Sequence, residues 1–414
     1  AAQTTPPPAR DSLALTRAAA IAAALADNPQ LEVAREQTAQ SRARRTEATA
    51  IPDPGLTASL DDQPGFFQLG RAQSKNVVVG LDVPFPDKFR LRNRIATADV
   101  RSAELSYRSV RQVLAAQTSA SYDALLVADR HHAIVTASRD LAADFLKKTH
   151  ARYEGGTAAK LDVIRAQVSL AQAENDLIGT ARDIQTASDA LDRLIGRPIG
   201  TPIAPSDSLE VPPPVPDVDL LEAQALAARP ELASVATQQA GARATTALAR
   251  EFWLPDFTVG AQRDYGPAGA GTGALYTAGI AMPVPIFFWQ HTKGEIAESQ
   301  HRERELAASA RDLRAQVAQD VRAAYATATA ALRQAVYLRD ELLPSAREAY
   351  RVASVSYGLG GSSALDVLDA RRNLLDAEMQ YADALAAANS SRADLERAVA
   401  VPLSTFDVPP RKAP

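Results

Sequence analysis

The chain has 414 residues, 46% of them hydrophobic but only 5% aromatic, no cysteine, and a formal net charge of −4. That excludes disulfides, thiolate metal sites and a lipid-bearing cysteine within this sequence, and leaves no basic footprint for nucleic acid. The dominance of Ala, with Leu, Arg, Gln and Glu, reads as long helices packed through small side chains rather than as a thick globular core.

Residues 1–15 read as an extended segment; an opening without Met fits a chain whose secretory leader has been removed. A first structural repeat follows over 16–196. It comprises helices over about 16–49, strands over about 55–61 and 76–84, a long helix over about 88–152, a turn at 153–160 and a further helix. Residues 197–216 form a Pro-rich linker. The second repeat, 217–402, has the same order, with strands at about 256–265 and 276–284, a long helix over about 290–355 and a turn at 357–363; residues 403–414 are a tail. At 1.5 Å per residue the long helices reach roughly 90–100 Å, more than a compact domain needs. Leu306, Ala310, Leu313, Val317, Val321, Ala324 and Ala328 recur at steps of three or four, and Leu365, Leu368, Leu375, Met379 and Ala382 after the turn at steps of three, four or a whole seven. That is the spacing of a coiled-coil seam.

The duplication is legible in short phrases. YEGGTAAKLDV starts at Tyr153 and YGLGGSSALDV at Tyr357, so Tyr153 and Tyr357, like Asp162 and Asp366, are 204 positions apart. NPQLEVA at Asn28 echoes RPELASVA at Arg229, and LDVPFP at Leu81 echoes AMPVPI at Ala281. The unit is too long for a solenoid repeat.

The strands carry a different signal. Val77, Val79, Leu81 and Val83 alternate with Asn76, Val78, Gly80 and Asp82; Phe257, Val259 and Ala261 alternate with Thr258, Gly260 and Gln262. No helical segment has the ~20 apolar residues of a transmembrane helix. An apolar face against a small or polar one is the pattern of a barrel with lipid outside and water inside, and the aromatics of FPDKF and PIFFW suit an interface. Four strands leave two open edges, which hydrocarbon does not tolerate, and are too few to close around water. Several chains must then share one barrel.

These features together resemble the TolC-like outer-membrane efflux factors over essentially the whole chain, and MPVPIFFWQHTKGEI from Met282 is similar to the heavy-metal, CzcC- and CusC-type subgroup. The resemblance implies a mainly α fold with a membrane β-barrel part: a duplicated long-helix α-barrel, plus four strands per chain in a trimeric twelve-stranded barrel. It further implies a homotrimer in the Gram-negative outer membrane, its helical tunnel in the periplasm, docked on a periplasmic adaptor and an inner-membrane resistance-nodulation-division pump. The duct would export heavy-metal cations, with no reaction and no cofactor; the loops at 61–75 and 266–275 would face the exterior. The two turns become the tips at the periplasmic mouth. Asp366 and Asp369 match inward carboxylates of the gate, and Tyr357 with Asp162 match a tie between neighbouring tips, for which the family's arginine is replaced by Ser362. Tyr153, Gly155, Gly156, Gly360 and Gly361 fall on the adaptor-contacting tips, the glycines as turn formers with φ > 0. Each carries a plainer reading: Ser363 to Asp366 has the form of a capping box, Tyr357 packs the turn, and Asp162 caps its helix.

Other outcomes remain open in the sequence: a duct for drug or organic-solvent efflux or for type I secretion, and a soluble coiled-coil scaffold, which has no use for four alternating strands. No Ser-His-Asp order, P-loop or GxGxxG supports an enzyme. The adjacent His131 and His132 point to different sides of a helix, and His150, His291 and His301 lack partners at zinc-site spacing.

Overall fold

The computed structural model describes residues 13–61, 74–265, 275–284, 286 and 288–406. The strand-connecting stretches 62–73 and 266–274, and Pro285 and Phe287 of PIFFW, lie outside the described residues. The element order is β1 Leu13–Leu15, α1 Arg17–Asp27, α2 Pro29–Ala48, β2 Gly55–Asp61, β3 Ser74–Val83, α3 Pro86–Glu154, α4 Lys160–Leu194, β4 Ile203–Pro205, α5 Val218–Ala228, α6 Pro230–Arg250, β5 Phe257–Tyr265, β6 Leu275–Ala281, α7 Phe288–Tyr337, α8 Leu343–Leu359 and α9 Ala364–Val399. Mostly helical with a few strands, it is the architecture the sequence pattern implies. No described helix is long and apolar enough to cross a membrane.

The chain divides into two compact units. The first gathers Ala1–Val33, Arg108–Arg229 and Arg314–Pro414. Its fully buried side chains include Tyr122, Leu114, Leu191, Leu221, Val317 and Leu395, the apolar stripes of its helices. The Asn-Pro and Arg-Pro phrases have a physical role here. Pro29 and Pro230 start α2 and α6, where a missing N–H costs nothing. The residue before each proline is free to turn outward: Asn28 donates to the Leu194 carbonyl at 2.8 Å, and Arg229 Nε donates to the Ala398 carbonyl at 2.8 Å. Both acceptors belong to the last turn of a long helix, where carbonyls lack helical partners.

Between α7 and α8 the helix widens into a π turn over Leu338–Leu342. Pro344 sits in the first turn of α8; it cannot donate to a carbonyl one turn back, and its ring displaces that carbonyl. The long helix expected to run unbroken over about 290–355 therefore carries this irregularity. A short parallel pair, β1 with β4, aligns Leu13 with Ile203. Tyr122 anchors it by donating to the Leu15 carbonyl at 2.8 Å.

The second unit, Ala34–Tyr107 and Pro230–Leu313, holds a four-stranded antiparallel sheet in the order β2-β3-β5-β6. Register places Leu56, Val79, Ala261 and Ala278 on one face, with Leu81, Val259 and Ile280 beside them. The other face carries Thr57 and Val78, then Asp82 against Thr258, whose hydroxyl donates to the carboxylate at 2.5 Å. Four glycines line up across all strands on that face: Gly55 opposite Gly80, Gly80 opposite Gly260, Gly260 opposite Gly279. No described strand residue of this sheet is buried, and Ile280 and Tyr276 are each 75% exposed. Among the described residues the outer strands β2 and β6 each have one neighbour only, so both edges are open. β6 stops at Ala281 although alternation continues to Val284, because Pro283 has no N–H to give a ladder.

Candidate functional site

The two tip turns share one backbone solution. In the first, Gly156 has φ 73°, its N–H donates to the Tyr153 carbonyl at 2.9 Å, and Thr157 N–H donates to the Arg152 carbonyl at 2.8 Å. In the second, Gly360 has φ 84°, its N–H donates to the Tyr357 carbonyl at 3.1 Å, and Gly361 N–H donates to the Ser356 carbonyl at 2.8 Å. Both are Schellman caps, in which glycine takes the left-handed position that ends a helix. Gly155 and Gly361 do not have the positive φ expected of them. Gly155 still belongs to the helical hydrogen-bond ladder, donating to the Ala151 carbonyl at 3.0 Å. Gly361 is needed for room instead: an added Cβ would stand 2.9 Å from Ser356 Oγ.

The helices leaving the tips start differently. At α9, Ser363 Oγ accepts from Asp366 N–H at 3.2 Å while Asp366 Oδ2 accepts from Ser363 N–H at 2.8 Å, a complete capping box. The Ser363 N–H, and the Ser363 hydroxyl donating to Asp366 Oδ2 at 2.8 Å, hold the Asp366 carboxyl below the usual carboxylate range. At α4 the cap position is Ala159, with no side-chain bond. Asp162 does not cap; it lies 3.6 Å from Arg165 Nη1. Asp369, one turn into α9, is exposed and has no hydrogen bond or ion pair among the described residues.

The structure does not bring Tyr357 and Asp162 together. Tyr357 is 4% exposed, its hydroxyl 3.3 Å from Thr149 Oγ1 and its ring tilted against Phe145 at 5.2 Å. Burying the ring against α3 gains more than presenting its hydroxyl, so Tyr357 packs the turn. Tyr153 is 43% exposed, and Gly155, Gly156, Gly360 and Gly361 are all at the surface.

Sequence reasoning missed Arg152. Its guanidinium donates to the Tyr357 carbonyl, donates to the Thr157 carbonyl at 3.2 Å, and lies over the Tyr357 ring at 4.4 Å. Ser362, which stands where the resemblance places an arginine, donates through Oγ to the Ala353 carbonyl at 3.0 Å. The only signal was the phrase RYEGG, where Arg152 reads as an ordinary basic residue in a last helical turn. The histidines go separate ways: His131 Nε2 lies 2.9 Å from Asp383 Oδ1, and His132 Nδ1 lies 2.9 Å from Thr180 Oγ1. Among the described residues no three metal-ligating side chains converge.

The family described as "Outer membrane efflux protein" matches residues 20–197 and 221–401, one match for each repeat. The chain belongs to that family. This outer-membrane efflux protein is 25% identical over 392 residues to the cobalt-zinc-cadmium resistance protein CzcC of Cupriavidus metallidurans, covering 92% of this chain and 89% of that protein. Its fold matches the Vibrio cholerae outer membrane protein VceC with a TM-score of 0.78 at 19% identity, over 94% of this chain and 96% of that one. It matches CusC equally well, with a TM-score of 0.78 at 18% identity, over 92% and 91%. Family and fold are those of outer-membrane channels of Gram-negative cells. The open sheet is thus this efflux protein's contribution to an outer-membrane barrel.

Proposed function

We propose that this channel is the exit duct of a tripartite resistance-nodulation-division system exporting heavy-metal cations. It works as a homotrimer whose three four-stranded sheets close one barrel in outer-membrane lipid. The helices continue as a periplasmic tunnel, and the tips meet a periplasmic adaptor beneath which sits the inner-membrane pump. The observation carrying the assembly is the sheet: its uncovered apolar face suits lipid, but its two open edges cannot persist in hydrocarbon unless other copies pair with β2 and β6. Likeness to CzcC over most of the chain supports the metal cargo. Asp369, exposed and unpaired near the tip, is the better gate carboxylate; three copies would make an acidic ring that favours cations. Asp366 is occupied with its own cap.

The test is native mass spectrometry in detergent followed by planar-bilayer recording. Three chains per particle, a cation-preferring conductance, and loss of that preference in Asp369→Asn without loss of the trimer are expected. A monomeric, well-folded particle, or a reversal potential unchanged by Asp369→Asn, would overturn the shared barrel or the ring respectively.

A further inference from the structure

Charge is sorted by face across the four-stranded sheet. Among the described strand residues the carboxylates Asp61, Asp82 and Asp264 all share the face that carries the glycine row. Each has a neutral partner there: Asn76 Nδ2 donates to Asp61 at 2.7 Å, the Thr258 hydroxyl to Asp82, and Gln262 Nε2 to Asp264. The cations Lys75 and Arg263 stand on the opposite, apolar face, with Val77, Val79 and Val259.

Their place along the strands is equally selective. Register sets Lys75 opposite Tyr265 and Arg263 opposite Tyr276, at the strand ends remote from the helices. Val83, opposite Phe257, marks the helix-proximal end of the same face. The strand between Lys75 and Val83 runs roughly 27 Å, or ~20 Å of height at the usual tilt, most of the height of an apolar band. The helical tunnel of such a channel is periplasmic, so the cations stand at the outer rim. All four of these side chains, Lys75, Arg263, Tyr265 and Tyr276, are exposed. The Arg263 guanidinium lies over the Tyr265 ring at 4.6 Å and the Tyr276 ring at 5.3 Å. Ring faces hold a cation but offer it no oxygen. Among the described residues neither Arg263 nor Lys75 has a hydrogen-bond acceptor or a carboxylate partner.

We propose that Lys75, Arg263, Tyr265 and Tyr276 form a docking patch for the phosphorylated head group of an outer-leaflet glycolipid, one patch per chain. A phosphate presents several oxygens, enough for a guanidinium fork and a neighbouring ammonium together. Two cations without a carboxylate call for a head group of net negative charge; a zwitterionic phospholipid would set its own ammonium against them. A charge on the lipid-facing surface is costly at mid-bilayer and cheap at the interface, which is where these two lie. Tyrosine, apolar with a polar tip, suits the layer between acyl chain and head group. The valines below the patch complete the fit, because a ligand that satisfies the cations and also brings acyl chains covers both surfaces, which a free anion does not. Docking in the membrane rests on the proposed barrel; the sorting of charge does not.

Native mass spectrometry of the full-length protein in detergent, titrated with bisphosphorylated lipid A, reads the patch and the assembly together. One tightly bound lipid A per chain is expected, and inorganic phosphate at millimolar concentration should fail to displace it. Each cation near an anionic head group contributes about fivefold, so Lys75→Gln or Arg263→Gln should weaken binding about fivefold and the two together about thirtyfold. Dephosphorylated lipid A should bind the unaltered protein as weakly as phosphorylated lipid A binds that double variant. Arg263→Lys, which keeps the charge and guards against a chain that fails to fold, should retain most of the affinity. Asp264→Asn, on the other face of the same strand, should change nothing. Equal affinity for the phosphorylated and dephosphorylated lipids, or an unchanged affinity in the double variant, overturns the patch. Displacement by inorganic phosphate assigns the cations to a free anion and overturns the lipid. Lipid A held by monomeric particles and lost in the double variant supports the patch and refutes the shared barrel; trimers indifferent to the phosphates refute the patch and leave the barrel standing.

Discussion

Replacing Ser363 with Ala removes the acceptor at the head of α9. The Asp366 N–H loses its partner at 3.2 Å, and Asp366 keeps only the backbone N–H of residue 363. Loss of an N-cap costs about 1 kcal/mol, within a range of roughly 0.5–2. That is about a fivefold rise in the opening equilibrium of the first turn. The reverse experiment is available at the other tip, where Ala159 caps nothing and Asp162 already stands three residues on. Ala159→Ser should complete a box and slow opening there by about the same factor. Hydrogen exchange read by mass spectrometry on peptides covering 364–367 and 160–163 measures both. Because Asp366 is held below its ordinary carboxylate range, its part of the box is complete above that range and is lost only as pH falls through the depressed value. If Ala159→Ser leaves exchange at the first tip unchanged, capping does not explain the difference between the tips.

Gly196→Ala and Gly200→Ala separate strain from collision: both glycines have positive φ, 73° and 86°, worth about 1–2 kcal/mol for an L residue, but only at Gly196 does the new Cβ fall 2.9 Å from the Asp27 carbonyl. Urea unfolding should show a loss of about 3 kcal/mol or more at Gly196 and about 1 kcal/mol at Gly200, and equal losses would refute the collision. Arg17→Ala leaves the Asp123 carboxylate, 3% exposed, without its cation. Burial already raises the Asp123 pKa, and removing Arg17 raises it further, so the variant's stability falls as pH climbs through the raised value. The deficit should be about 2 kcal/mol at neutral pH, below the ~3–5 of a fully enclosed pair since Arg17 is 35% exposed, and smaller at pH 5; a pH-independent deficit would count against this account.

What was legible in the sequence is what repeats locally. Alternation along Val77–Val83 and Phe257–Gln262 marks strands because a membrane sheet must sort its faces residue by residue. The tips were legible because Gly156 and Gly360 fill a backbone position few other residues accept. What was not legible depends on partners far away in the chain. Arg152 and Tyr357 are 205 positions apart, Arg371 and Ser169 are 202, and neither pair leaves a periodic trace. The β1–β4 pair is three residues long, too short for any pattern. Within the chain Tyr357 lies beside Phe145 and Thr149 and not against Asp162, a buried alternative that motif matching does not weigh.

The glycine row across the sheet decides which way the sheet can curl. On a concave surface side chains crowd, and on a convex one they spread apart. Gly55, Gly80, Gly260 and Gly279 all remove their side chains from the same face, the one carrying Thr258 and Asp82. A sheet creased along that line folds toward the face it has emptied. The inner pair is tight, since a Cβ on Gly80 would lie 3.3 Å from Thr258 Cγ2 and one on Gly260 would lie 3.2 Å from the Val79 carbonyl. The outer pair is slack, with nothing within 4 Å at Gly279 and only the Gly80 carbonyl, at 3.9 Å, near Gly55. Steric room therefore selects the polar side as the hollow of the curve, independently of any preference for lipid or water. The crowding is greatest on the two inner strands, and β2 and β6 carry less of it.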